Sequence, residues 1–109
     1  MCTEIDARAR TNDVRVAIEM HPYNLVVSPV TVTNLIELTG ATNVGAEMDP
    51  SHLMWQGMDV VACIRYLSPL VFHAAAKNAM ITPGVAIQGV LDTSFQRVAA
   101  DATGKVPTG

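Results

Sequence analysis

Three short segments, residues 14–20 (VRVAIEM), 43–49 (NVGAEMD) and 70–77 (LVFHAAAK), alternate with two stretches that read as helices, and this order leaves few folds open. Each segment reads as a strand and ends at a break: His21-Pro22, Asp49-Pro50-Ser51 and residues 78–84. Between the first two, Ser28 is a good helix N-cap, Pro29 suits the first helical position, and Val32, Leu35 and Ile36 form an apolar stripe that Gly40 closes. Between the second and third, Asp59 is a second N-cap, followed by Val60, Val61, Cys63, Ile64 and Leu67, with Ser68-Pro69 as the stop. Residues 1–13 read as the end of a helix leading into the first strand. Strand–helix–strand–helix–strand predicts a parallel sheet with two crossover helices, because parallel neighbours need a long connection.

Successive side chains on a strand point to opposite faces. Val14, Val16, Ile18 and Met20 share one face of the first strand; Val44, Ala46 and Met48 share one face of the second; Leu70, Phe72, Ala74 and Ala76 share one face of the third. These apolar faces are expected under the helices. The opposite faces carry Arg15, Ala17, Glu19 and His21, then Asn43, Gly45, Glu47 and Asp49, then Val71, His73, Ala75 and Lys77. Ionisable groups therefore gather near the C-terminal ends of all three strands, the edge at which parallel α/β folds bind ligands. Any one of Glu19, Asp49 or His73 can equally be a solvated group at a loop; their agreement across three strands is what points to a site.

Composition narrows the classes. Half of the 109 residues are hydrophobic and 16% are charged, which suits a chain with a buried core rather than a disordered one. A net charge of −3 without a basic run offers nothing to a nucleic-acid backbone. No apolar stretch is long enough for a membrane helix, and MCTEIDARAR lacks the apolar centre of a signal peptide, so a cytoplasmic protein is expected. Cys2 and Cys63 have no metal-ligand spacing; Cys63 reads as a reduced core residue.

Residues 14–78 resemble the sugar phosphate isomerase/epimerase family, a branch of the xylose isomerase-like TIM barrels. The resemblance is carried by VAIEMHPYNLV (16–26), GAEMDPSHLMWQGMD (45–59) and VFHAAAKN (71–78), with QGVLDTSF (88–95) as a weaker echo. Asp-Pro-Ser-His-Leu followed by an aromatic residue, glutamine and glycine is its most specific part. The resemblance implies that Glu19 and Asp49 are metal ligands and that His52 contacts metal-bound water or substrate. It implies a divalent metal (Mn, Mg, Co or Zn) that holds adjacent oxygens of a small sugar or sugar-phosphate substrate while a carboxylate, Glu19, moves a proton beside the carbonyl. Many members carry a histidine ligand at the position of Ala75; here His73, on the same strand face, is the remaining candidate. Asn78 stands where members have aspartate, and the family's last metal-binding glutamate has no counterpart.

A full (β/α)8 barrel takes about 250 residues. The expectation is therefore a partial barrel over residues 1–80, of three parallel strands and two crossover helices, with an irregular tail over 81–109. Such a piece is expected to self-associate or to be complemented by the missing barrel parts, and to be weakly active or inactive alone. His21 is either a substrate contact or a loop anchor. Trp55 is either a pocket wall or core, and Lys77 either binds a phosphate or carboxylate or is a solvated strand end. Two other functions fit the same residues: a non-catalytic oligomeric interaction module, and a metal-dependent endonuclease, which the acidic balance disfavours.

Overall fold

The computed structural model describes residues 1–77, 79–80 and 85–89. Helix α1 (Cys2–Thr11) leads into strand β1 (Val16–Glu19), helix α2 (Pro29–Thr39) and strand β2 (Val44–Met48). Helices α3 (Pro50–Met54) and α4 (Val60–Leu67) follow, then a single 3-10 turn (Ser68–Leu70), strand β3 (Val71–Ala74) and helix α5 (Val85–Gln88). Among the described residues the fold is α/β, with one three-stranded parallel sheet of order β1-β2-β3. No helix among the described residues is long and apolar enough to cross a membrane. Most of the expected tail lies outside the described residues.

The two crossover helices form where capping chemistry directs. Ser28 sits in extended backbone, and its Oγ accepts from the Thr31 N–H at 3.4 Å while Thr31 Oγ1 accepts from the Ser28 N–H at 2.9 Å. This reciprocal pair satisfies two amides that the first turn leaves without partners. Gly40 ends α2 at φ 65°, a left-handed conformation that costs glycine nothing, and its N–H reaches Ile36 O at 2.8 Å. Asp59 caps α4 by accepting from the Ala62 N–H at 3.0 Å. Both helices pack on the apolar side of the sheet. Val32 of α2, Cys63 and Leu67 of α4, and Ala46 and Met48 of β2 join Met20, Val26 and Leu53 in one core. β2 lies between the other two strands and is the most buried of the three, as the central strand must be.

The strands are shorter than expected. Asp13 takes φ 52° and the Val14 N–H turns back to Ala9 O, so pairing starts only at Val16, whose N–H bonds Asn43 O. Asp49 leaves β2 to cap α3, and Leu70 belongs to the 3-10 turn that Pro69 favours. One face assignment is corrected. The β2–β3 register pairs Ala46 with Val71 but Glu47 with His73, so an extra residue sits in β3. The irregularity puts Val71 against the core cluster. It places the Phe72 ring over Gly45 on the other face, where Arg15 stacks on it at 4.7 Å.

Asp6 ties α1 to the start of β2. Its side chain is buried, Oδ1 accepts from the Thr42 and Asn43 N–H groups at 2.8 and 2.7 Å, and Oδ2 pairs with Arg10 at 3.1 Å. The Asn43 hydrogen bond, aided by Thr42 and Arg10 and opposed by burial, holds the carboxyl below its ordinary pKa. A depressed carboxylate pKa contributes stability that is complete above the ordinary carboxylate range and is lost as pH falls through the folded-state value. Asp6→Ala is expected to lower the melting temperature by several degrees at pH 7 and to flatten the acid limb of the stability curve. Thermal melts followed by circular dichroism at pH 7 and pH 3 check both.

Candidate metal centre at the strand ends

Three side chains from two strand ends and one helix turn meet at the C-terminal edge of the sheet. Glu19 is the last residue of β1, and Asp49 follows directly on β2. Parallel pairing in register, with Glu19 opposite Glu47, is what puts the two strand ends side by side. His52 lies on α3, three residues beyond Asp49. That short helix exists because Asp49 accepts from the Ser51 N–H while Pro50 fills the first helical position. His52 Nε2 is 3.2 Å from Glu19 Oε1 and 3.5 Å from Asp49 Oδ2. One ligand atom from each of the three residues falls within 4.8 Å of the others.

Asp49 is the buried anchor, at 1% exposure. Its Oδ1 is fully engaged, accepting from the Ser51 N–H at 2.9 Å and from Ser51 Oγ at 2.6 Å. Its Oδ2 is buried and accepts no well-directed hydrogen bond, although Lys77 Nζ stands 2.5 Å away. Burial alone pushes this carboxyl's pKa up. The Lys77 ammonium and the two Ser51 donors outweigh it, with help from His52, and hold the carboxyl at about 2. It is therefore an anion at any physiological pH. A buried carboxylate oxygen with a lone pair left over, facing a second carboxylate and an imidazole, is the arrangement a divalent cation satisfies. The donor set fits a metal on these grounds.

The neighbours fix the orientation of the group. The His21 ring packs edge-on against His52, with centroids 4.2 Å apart, and its Nδ1 lies 2.6 Å from Pro22 O. Since a carbonyl only accepts, Nδ1 carries the proton. The His21 N–H also bonds Val26 O at 3.1 Å. His21 is thus a loop anchor that buttresses His52. Gln56 Nε2 donates to His52 O at 2.6 Å and to Val27 O at 3.3 Å, pinning α3 to the loop that precedes α2. Trp55 is half-buried and faces the ring of exposed Tyr23 at 6.5 Å, beside the site rather than in the core.

His73 is corrected. It is exposed on β3 opposite Glu47 and lies outside the Glu19–Asp49–His52 group. The third candidate ligand is His52, for which the resemblance implies a contact to substrate or metal-bound water. Lys77 is not a free strand end, because it reaches back onto Asp49.

No family model matches the chain. Over 80 residues it is 34% identical to the uncharacterized protein YfiH of Bacillus subtilis (strain 168). The match takes in 72% of this chain and 25% of that protein, so the chain spans about a quarter of its relative's length.

Proposed function

We propose that this chain carries part of the catalytic centre of a metal-dependent sugar or sugar-phosphate isomerase or epimerase, built on three consecutive strands of a (β/α)8 barrel. The observation that carries the reading is the convergence of Glu19, Asp49 and His52 at the C-terminal edge of a parallel sheet. A divalent cation bound there, of the Mn, Mg, Co or Zn kind, supplies Lewis-acid polarisation of a carbonyl and its neighbouring hydroxyl.

The protein's own residues divide the remaining work by their environment. Asp49, buried and locked by Ser51, is a fixed ligand with no freedom to shuttle protons. Glu19 is 41% exposed in its side chain and open toward solvent, so it can reach a substrate carbon and carry a proton between neighbouring positions. His52, held by Gln56 and His21, keeps its Nε2 aimed between the two carboxylates. Trp55 and Tyr23 offer ring faces at the rim, the kind of surface that packs on a sugar. The remaining ligands and walls lie, in this reading, outside the residues described.

The test is enolisation rather than full turnover. The purified chain, loaded with Mn²⁺ or Co²⁺, is incubated in D2O with a panel of ketoses and ketose phosphates, and deuterium at the carbon beside the carbonyl is read by NMR. Metal-dependent wash-in that Glu19→Gln lowers by about a hundredfold or more supports the reading, since general-base catalysis contributes that much. Failure of the chain to hold Mn²⁺ or Co²⁺ at stoichiometric level overturns it, because the Glu19, Asp49 and His52 group is what the reading rests on.

A second reading, a non-catalytic oligomeric module, is favoured by the sheet itself. Among the described residues β1 and β3 are both edge strands, and unpaired edges invite partners. Light scattering with metal analysis separates the two: an assembled species free of stoichiometric metal supports the module.

A further inference from the structure

Asp49 Oδ2 is contested. It is the one lone-pair-bearing atom of the buried carboxylate that Ser51 leaves free, and it points both to His52 Nε2 at 3.5 Å and to Lys77 Nζ at 2.5 Å. Lys77 approaches from the segment that follows β3, with its side chain 55% exposed, so the flexible stem can leave Asp49 for solvent without disturbing the core. The ammonium is surrounded by negative charge. Asp49 holds it directly, and the Glu19 and Glu47 carboxylates add to the attraction. A cation ligated by Glu19, Asp49 and His52 has to use that same Oδ2, and two positive charges on one carboxylate oxygen repel each other.

We infer that Lys77 is the exchangeable counter-cation of this centre: it neutralises Asp49 in the metal-free chain, is displaced when a divalent cation binds, and then contacts an anionic oxygen group of the substrate. The inference rests on the metal reading above and deepens it by adding a substrate feature, a phosphate or carboxylate held beside the metal. Displacement places a freed ammonium on a four-carbon tether at the rim of the site, where a compact point charge of this kind binds anions. The physical consequence is a linkage. An anion that captures Lys77 removes the metal's competitor, so anion and metal each strengthen the binding of the other through this one side chain.

The experiment measures binding, not turnover. Mn²⁺ affinity of the full purified chain is determined by calorimetry for the wild type and for Lys77→Met, alone and with methyl phosphate or acetate as the anion probe. Lys77→Gln serves as a second variant, and circular dichroism establishes that each is folded. The expected result is that both variants bind Mn²⁺ about tenfold more tightly than the wild type, within the usual range of such couplings. Methyl phosphate, acetate or both raise the wild-type affinity several-fold and leave the variants' affinity unchanged. A response to methyl phosphate alone identifies a phosphate contact, and to acetate alone a carboxylate contact. Mn²⁺ bound equally or more weakly by the variants overturns the exchange while leaving the metal centre standing. An anion effect of equal size with and without Lys77 overturns the anion contact. Absence of Mn²⁺ binding in every protein overturns this inference and the metal-dependent function together.

Discussion

Gly45→Ala is expected to abolish cooperative folding of the sheet or to lower its stability by about 3 kcal/mol or more, the upper range for overpacking in a core. Gly45 lies in the middle of the central strand, and its backbone needs no special conformation. What it needs is room. A Cβ built there meets Leu70 O at 2.5 Å and two Phe72 ring atoms at 2.7 and 2.8 Å. The ring can swing aside, but the Leu70 carbonyl belongs to the backbone at the turn into β3 and cannot give way without pulling β3 off β2. Net stability of a domain this small is only about 5–15 kcal/mol, so such a loss is visible in any melt. The double variant Gly45→Ala/Phe72→Ala tells the two contacts apart. Partial recovery assigns part of the clash to the ring, and complete recovery contradicts the role given to the Leu70 carbonyl. Urea denaturation of the singles and the double closes the cycle.

The same neighbourhood shows what a sequence of this kind reveals and what it hides. The alternation of VRVAIEM and NVGAEMD was sufficient to put Glu19 and Asp49 at adjacent strand ends, because in-register parallel pairing carries one face across to the next strand. Ser28, Gly40 and Asp59 marked the ends of α2 and α4, because caps are local chemistry. The third strand misled. A one-residue irregularity between Val71 and His73 turns Phe72 to the Gly45 side, and periodicity cannot register an inserted residue. His73 then stays on the expected side of the sheet, opposite Glu47, yet outside the cluster.

Helix α3 was hidden for a different reason. Asp49-Pro50-Ser51 reads equally as a turn or as an N-cap followed by proline at the first helical position, and five residues are too few for an apolar period. Read as a helix, the segment brings His52 back over Asp49 by i, i+3 spacing and makes it the third candidate ligand. The Lys77–Asp49 contact had no local signal, since it joins residues from different strand ends. The parallel order only makes their meeting feasible.

Asp49→Ala is expected to remove metal binding and α3 together, and Asp49→Asn to remove only the first. Asp49 has two separable jobs, one on each oxygen. Oδ1 accepts from the Ser51 N–H and hydroxyl and so starts α3; an asparagine amide oxygen performs that task, whereas alanine leaves the first turn uncapped at a cost of about 1 kcal/mol. Oδ2 supplies the negative charge that faces Glu19, His52 and Lys77, and neither replacement restores it. Loss of one charged ligand from a small donor set lowers affinity by roughly a hundredfold or more, taking the share of one ligand in the total energy of a bound ion. Calorimetric titration with Mn²⁺ should therefore find both variants without measurable binding, while far-UV circular dichroism at pH 7 shows Asp49→Asn with wild-type helix content and thermal melts place it below the wild type, since the carboxylate's contribution is gone. The acid limb supplies an independent check. Because the folded-state pKa is depressed to about 2, this carboxylate's contribution to stability is present above the ordinary carboxylate value of 3.8 and is lost as pH falls toward 2. Asp49→Asn carries no such proton, so its stability relative to the wild type should improve as pH drops through that window. An asparagine variant that still binds Mn²⁺ as the wild type does would show that the buried carboxylate serves the fold of the strand end alone and that the ion is held without it.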